Sequence, residues 1–508
     1  MRKLKESQNH SQNQKIESDR NFILITASIT TLALLLRIYG IGANSLWLDE
    51  LWALRGAQHD SIPELLSWIN SMDYSDPSGF FVLEWLSFRV PFLGPEASLR
   101  LFPMIFSVAT VPIVGLLADR WFDRKTAICS MLFFSVSMTQ IYFAQEARPY
   151  SGMIFFTTLN SWLWLEMILP REEERNRSIV VTLYILFSSF GCYFDYYIIL
   201  VTLGHLIATP ILTGLQIKSL QNQIIVVGII SLIFSPGLPK LIRDLNNSPS
   251  YVKNPEIYFF RDYQVLHFND WQLFFWISIS LYLFYLLRCI NSLKRERPVS
   301  ENVKRFLPEL IFASWLALPA IILVSISWAS EPLVTTKKLL LSSPASYILL
   351  SKASVEFSRF SSKLNLAPYV LVSILLAHTV FIIDYYTESQ KQPMREGINF
   401  LIENSEGYSV YAHPDDHFFI TYEVALSEQT SIRWYSPSID HEDFVLSVQD
   451  ENYGWVLIAE NTADPFDVED LLSDIGPSAM IIDEKSWTHT DHLNEGWVVV
   501  KLLLISSS

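Results

Sequence analysis

About eleven apolar runs, each close to the length that crosses a lipid bilayer, constrain this 508-residue chain more than any other feature. A spanning helix needs about 17–25 predominantly apolar residues. The runs 22–39, 100–119, 126–143, 150–168, 179–195, 197–213, 223–241, 271–289, 307–328, 338–351 and 366–385 meet or approach that length. Hydrocarbon offers no water to backbone N–H and C=O groups, so such runs cross as helices. Only 18% of residues are charged, against roughly a quarter in a soluble domain. The fold class that follows is a polytopic α-helical membrane protein. The weakest span is 338–351, which is short and contains Pro344.

Residues 1–20 are polar and carry Arg2, Lys3, Lys5, Lys15 and Arg20. With nothing there to build a core, they point to a disordered cytoplasmic tail. The long polar lead and the lack of a small-residue cleavage site make 22–39 a retained span rather than a signal peptide. Basic residues then recur in alternate loops: Arg120, Arg124 and Lys125; Arg171, Arg175 and Arg177; Lys218; Arg288, Lys294, Arg295, Arg297, Lys304 and Arg305; Lys352, Arg359 and Lys363. The positive-inside bias puts these loops and the N-terminus in the cytoplasm. Residues 79–92 interrupt the pattern if counted as a span, but they are short and include Glu84 and Arg89. They are read as a helix lying on the membrane surface. Residues 40–99 then form one large outer loop, and 21–385 the membrane domain.

An odd number of spans leaves 386–508 outside the cytoplasm. This stretch holds 23 acidic and 5 basic residues, so it carries the whole of the chain's net charge of −15. Helical spacing in MREGINFLIENS and VEDLLSDIG alternates with strand-like GYSVYA, GWVLIAE, SAMIIDE and GWVVVKLLLI. The expectation is an extracytoplasmic α/β domain. No basic stripe exists for nucleic acid, and no glycine-rich phosphate loop follows a strand. Cys129, Cys192 and Cys289 all fall in apolar runs and read as packing residues.

Chemistry concentrates in the stretch ANSLWLDELWAL, residues 43–54. Asp49 and Glu50 lie just beyond the first span between Trp47 and Trp52. Tryptophan favours the interface, whereas carboxylates there are costly unless solvated or used. On the same expected face lie Glu146, Arg148 and Tyr150 in QEARPY, the loop Asp73 to Pro77 with Asp76, Asp195, and Lys337-Lys338. Two lysines at an outer edge run against the charge bias and call for a negative partner, for which a lipid phosphate is suited. A carboxylate able to take a proton from a hydroxyl, with cations to stabilise a departing phosphate, points to transfer chemistry on a lipid-linked phosphate.

SLWLDELWAL, the outer-loop Asp–Pro segment, SLRLFPMIFSVATV and IYFAQEARPYSGMIFF, in that order, resemble the bacterial relatives of the protein O-mannosyltransferases and lipid A aminoarabinose transferase. These belong to the C-superfamily (GT-C) of membrane glycosyltransferases. The resemblance covers about the first 200 residues. It implies a hexosyl or pentosyl transferase in the bacterial plasma membrane, using a sugar on a polyprenyl phosphate. The acceptor is a hydroxyl of a lipid, glycan or protein on the outer face. By the same resemblance Asp49 is the general base of an inverting displacement, and Glu50 orients Asp49 or the acceptor. Glu146, Arg148, Tyr150, Asp76 and Asp195 line the cavity, and Lys337 with Lys338 takes the place of a phosphate-binding arginine. No cofactor is required, although two adjacent carboxylates are able to bind a divalent ion. DYSDPSG lacks the histidine common in the family's first loop, and lysine loses the bidentate fork of arginine.

Plainer accounts compete at each position. Asp49-Glu50 is also a solvated loop capping a short helix, Glu146 and Arg148 a structural ion pair, and the two lysines a contact with lipid headgroups. His413, Asp415, Asp416 and His417 lack a second ligand cluster and read as a solvated loop rather than a metal site. Two other functions fit the composition: a transporter or flippase of a polyprenyl-linked substrate, and a non-catalytic assembly protein. A transporter would show paired halves and broken helices at mid-membrane depth. Neither is evident in the sequence.

Overall fold

The computed structural model describes residues 2–507 except 73–75, 170–176, 215, 247–253, 257, 294–298, 330–331, 388–390, 392, 405–408, 414–415, 427–431, 437–439, 461–465 and 492–495. Asp73, Arg171, Arg175, Lys294, Arg295, Arg297 and Asp415 therefore lie outside the described residues. Helix α1 (Arg2–Ile38) precedes four short helices, α2 (Leu48–Ala57), α3 (Ile62–Ser71), α4 (Ser78–Ser87) and α5 (Pro95–Leu99). Next come α6 (Leu101–Trp121), α7 (Arg124–Val136), α8 (Met138–Ala144), α9 (Tyr150–Ile168), α10 (Arg177–Phe194), α11 (Ile198–Leu212), α12 (Ile217–Phe234) and α13 (Leu238–Asn246). Helices α14 (Phe259–Leu266), α15 (Gln272–Leu293), α16 (Val299–Ala329), α17 (Ser343–Ser358) and α18 (Ala367–Ala377) complete the membrane part.

Among the described residues seven helices are long and apolar enough to span, and the bent pair α7–α8, kinked by 58°, makes an eighth. The remaining three expected spans are the helices α9, α11 and α17. Helices α9 and α17 are enclosed by protein along most of their length. Enclosed helices are free to carry Thr157, Asn160, Ser161, Glu166, Ser346 and Ser351, and so fall short of a lipid-facing composition. Helix α11 is apolar but only 15 residues long. Pro344 sits in the first turn of α17, where its missing N–H costs nothing. The polar leader, expected as a disordered tail, instead continues α1 back to Arg2. Its lysines, glutamines and glutamates are good helix formers, and the span behind them supplies the nucleus.

The break between α7 and α8 is supported from three sides. Arg37, fully buried at the end of α1, donates to Phe134 O (3.1 Å) and Ser135 O (2.9 Å), satisfying carbonyls released at the end of α7. Its Nε donates to Ser107 Oγ at 2.8 Å. The Asn269 side-chain oxygen accepts from Met138 N at 2.8 Å, capping the start of α8. Tyr347 donates to Ser137 Oγ at 2.8 Å.

Basic residues from three of these loops meet at one end of the bundle. Arg124 pairs with Asp19, Arg359 with Asp123 (3.0 Å), and both Lys352 (3.0 Å) and Arg288 (3.4 Å) with Glu356. The loop helices α2–α5 lie at the other end. Ten residues long, α4 is too short to span. Gly79 lets α4 approach the end of α10, since a Cβ there would come within 2.7 Å of Tyr193 O.

The C-terminal region contains α19 (Met394–Asn404), β1 (Ser409–His413), α20 (Asp416–Leu426), β2 (Arg433–Tyr435) and α21 (His441–Glu451). It ends with β3 (Tyr453–Glu460), α22 (Val468–Ile475), β4 (Met480–Asp491) and β5 (Gly496–Ser506). The sheet order is β2-β1-β3-β5-β4, with β1 parallel to β2 and β3, and β5 antiparallel to β3 and β4. This domain rests on the loop between α1 and α2. Tyr422 Oη accepts from Leu46 N (3.1 Å) and donates to Glu96 (2.6 Å). Arg395 bonds Ala43 O (2.6 Å) and Glu96 (3.0 Å).

The carboxyl of Glu84, buried on α4, accepts only a 3.4 Å bond from Ser87 Oγ among the described residues. Burial, and then the nearby Glu50 carboxylate, push its carboxyl well above the usual range. A raised carboxyl pKa favours folding fully below the unfolded value of about 4.3, and that contribution is lost as pH rises through the folded value. Glu84→Gln is expected to flatten the pH dependence of thermal stability and to raise Tm at pH 8 by a few degrees. Superimposed Tm–pH profiles for the two proteins would contradict the assignment.

Candidate active site

Helix α2 opens with the acidic pair, and its two carboxylates have opposite environments. Glu50, at the third helical position, faces inward and is fully buried. Arg100, between α5 and α6, grips it with two bonds, Nε to Oε1 at 2.9 Å and Nη2 to Oε2 at 2.7 Å. Ala147 N donates to Oε1 at 2.7 Å, and Trp47 N to Oε2 at 3.3 Å, reaching back across the first turn of α2. Burial raises the Glu50 carboxyl, but Arg100 and then Lys391 outweigh it, so it lies below the ordinary range. Arg100 also donates to the carbonyls of Ile41, Asn44 and Ser45, fixing the chain that enters α2.

Asp49, one residue earlier, is half-buried, and its carboxylate has no hydrogen-bond or ion-pair partner among the described residues. Its backbone carbonyl accepts from Arg148 Nη1 at 3.3 Å. Arg148 turns its charge to Asp76 at 3.0 Å, and Lys338 approaches the other Asp76 oxygen at 3.5 Å. Lys338 also pairs with Asp195 at 3.3 Å and lies over the rings of Tyr150 (5.7 Å) and Tyr197 (5.4 Å). Burial raises both carboxyls. At Asp76 the cations Arg148 and Lys338 prevail and the pKa falls, whereas at Asp195 burial prevails.

The two adjacent lysines thus separate in role. Lys338 is held among carboxylates, while Lys337 lies 5.0 Å from the centre of the Trp47 ring with no carboxylate within ion-pair distance among the described residues. Glu146 is fully buried, pairs with Lys391 at 3.2 Å, and receives no hydrogen bond among the described residues. Burial raises its carboxyl, against the pull of Lys391 and Lys337.

All nine residues singled out from sequence, Asp49, Glu50, Asp76, Glu146, Arg148, Tyr150, Asp195, Lys337 and Lys338, fall in one connected network. Two members were not singled out. Arg100 lies in SLRLFPMIF, where it looks like the polar edge of a span. Lys391 lies in the short polar link before α19, with the profile of an ordinary connector. The rings of His413 and Phe466 lie 4.9 Å apart at a tilt of 36°, and no group of three or more His, Cys, Asp or Glu side chains that could hold a metal occurs among the described residues.

Residues 27–242 match the family model described as dolichyl-phosphate-mannose-protein mannosyltransferase. The match covers less than half of the chain and runs from within α1 to α13. It contains Asp49, Glu50, Asp76, Arg100, Glu146, Arg148, Tyr150 and Asp195. An uncharacterized protein of Aquifex aeolicus (strain VF5) is 27% identical over 159 residues, 30% of this chain and 31% of the relative. The chain thus matches about a third of the length of that curated relative. The crystal structure of apo ArnT from Cupriavidus metallidurans superposes with a TM-score of 0.58 at 10% identity, covering 95% of this chain and 98% of that one. ArnT bound to undecaprenyl phosphate gives 0.53 at 11% identity, covering 96% and 98%. Membrane bundle and C-terminal domain together therefore share the ArnT fold.

Removing the charge of Glu50 leaves Arg100 buried and half-paired, a loss that costs about 3–5 kcal/mol in comparable buried pairs. Glu50→Gln is expected to lower the Tm of the purified protein sharply. Asp49→Asn is expected to leave stability within about 0.5 kcal/mol of wild type, as at sites without such partners. Equal Tm shifts for the two variants would show that the acids are not divided in this way.

Proposed function

We propose that the protein transfers a sugar from a polyprenyl-phosphate carrier to an acceptor hydroxyl, with Asp49 as the general base. The observation that carries the reading is the Asp49 carboxylate, half-exposed and without a partner among the described residues, in a site whose other carboxylates face cations. Asp49 takes the proton of the acceptor hydroxyl as its oxygen attacks the anomeric carbon. The bond from that carbon to the phosphate oxygen breaks, and the phosphate leaves with the electron pair. Attack opposite the leaving group inverts the anomeric configuration. Lys337 stabilises the developing phosphate charge. Glu50 acts through position: with Arg100 it fixes the first turn of α2 and hence the direction of Asp49.

The carrier is suggested by the family of residues 27–242 and by undecaprenyl phosphate in the ArnT complex, a protein of the same fold. The acceptor is a lipid, glycan or protein hydroxyl. Both Glu50 oxygens are already engaged by Arg100 and backbone N–H groups, which favours a metal-independent reaction over a divalent ion shared by the pair. Basic residues gathered at the end away from the site favour a bacterial plasma-membrane protein with its N-terminus cytoplasmic and its site and C-terminal domain outside.

With polyprenyl-phosphate sugars and candidate acceptors, Asp49→Asn is expected to lower transfer at least ~100-fold, the usual scale for losing a positioned base. The product anomer should be opposite to that of the donor. Transfer by Asp49→Asn at the wild-type rate would remove Asp49 from the role. Lys337→Gln is expected to raise the donor KM about tenfold, equivalent to roughly 1.4 kcal/mol, and an unchanged donor KM would exclude it as a phosphate ligand.

A further inference from the structure

The link between the last span and the C-terminal domain is stapled to the membrane domain at both ends. Before it, Tyr385 donates to Gln145 Oε1 (3.0 Å) and Tyr386 to Leu36 O (2.6 Å). After it, Arg395 N donates to Ser45 Oγ at 2.7 Å, and its guanidinium holds Ala43 O and Glu96. Between these anchors Lys391 points into the site, its side chain 3% exposed. Its ammonium lies 3.2 Å from Glu146, 4.2 Å from the Tyr142 ring centre and 5.5 Å from that of Trp47. Lys337 approaches the same indole at 5.0 Å.

Three features of this arrangement call for an anion. Two ammonium groups lie near one aromatic ring, at 5.0 and 5.5 Å from its centre, on long side chains whose rotation can bring them to a shared oxyanion. The indole N–H of that ring is buried without an acceptor among the described residues, and a buried unsatisfied donor carries a free-energy cost. Glu146 answers Lys391 with charge alone, since neither of its oxygens receives a hydrogen bond among the described residues. A buried carboxylate held that way is a poor final partner for an ammonium.

We propose that Lys391 is a donor-phosphate ligand, that it and Lys337 cradle the phosphate of the lipid carrier beside the Trp47 N–H, and that Glu146 is the counter-ion which the phosphate displaces. The inference rests on the polyprenyl-phosphate reading and deepens it. It also assigns a task to the C-terminal domain. Docking through Tyr422 and Arg395 holds the link that delivers one of the two cations, so the domain completes a site otherwise built from the membrane bundle.

The test measures binding of polyprenyl monophosphate to the purified full-length chain, with dephosphorylated polyprenol as control. Lys391→Gln is expected to weaken phosphate-lipid binding about tenfold, roughly 1.4 kcal/mol, without changing polyprenol binding. Lys391→Arg, which keeps the charge, should recover most of the loss. Glu146→Gln removes the competing carboxylate and should tighten phosphate-lipid binding. A purely structural Lys391–Glu146 pair predicts the reverse sign for Glu146→Gln, so unchanged or weaker binding there overturns the proposal. The Glu146 variant decides alone if Lys391→Gln fails to fold. Wild-type protein with no preference for phosphate over alcohol would defeat the donor reading itself. A preference that Lys337→Gln loses and Lys391→Gln retains would defeat only the role of Lys391.

Discussion

The buried clasp of Glu50 by Arg100 is the interaction on which the site depends. It joins three stretches far apart in sequence: the first turn of α2, the junction of α5 with α6, and the loop at Ala147 between α8 and α9. Two charges taken out of water recover their hydration only through complete hydrogen bonding, and here both carboxylate oxygens and all three guanidinium nitrogens have partners. The same clasp gathers the carbonyls of residues 41, 44 and 45, the surface on which Tyr422 and Arg395 of the C-terminal domain then rest. A site standing on loop helices is thereby given the rigidity of the bundle beneath it.

That rigidity continues downward through Gln145. Its side-chain amide donates to Arg37 O and Tyr39 O, both at 2.8 Å, and accepts from Tyr385. Arg37 itself satisfies the broken end of α7. The kink therefore lies inside protein, where released backbone groups find partners, as non-helical backbone at membrane depth must. It also turns α8 so that Gln145, Glu146 and Ala147 emerge against α2.

Much of the site was legible because charges beside long apolar runs are expensive and stand out. Asp49, Glu50, Glu146, Arg148, Asp195 and the lysine pair were visible for that reason, and the alternation of basic loops put them at one end. What stayed hidden depends on contacts that local composition does not encode. Asp49 and Glu50 look equivalent until Arg100, fifty positions later, closes on one of them. Lys337 and Lys338 look like a pair until Asp76 and Asp195 take the second. Lys391 sits in a link with no apolar pattern around it, so nothing local marks it as buried. In the fold, α9 and α17 were found from their apolar length, yet their enclosure by protein shows only in three dimensions. The short helices α20 and α21 and strand β2 have no counterpart in the sequence reading, since their packing faces are too small to give a clear period.

Pairing the charges leaves a residue that matches the chemistry. Glu50 is held by Arg100, Asp76 by Arg148 and Lys338, Asp195 by Lys338, and Glu146 by Lys391. Among the described residues of this network, one carboxylate and one ammonium remain without an opposite charge in contact: Asp49 and Lys337. Had they met, their attraction would have closed the site. Instead Lys337 lies 5.0 Å from the centre of the Trp47 ring, and the backbone carbonyl of Asp49 is held by Arg148. Displacement at a sugar carbon needs a base for the incoming hydroxyl and a positive group for the outgoing phosphate, separated by the reacting centre. On the proposed reading, the surrounding ion pairs maintain that separation by engaging the neighbouring charges.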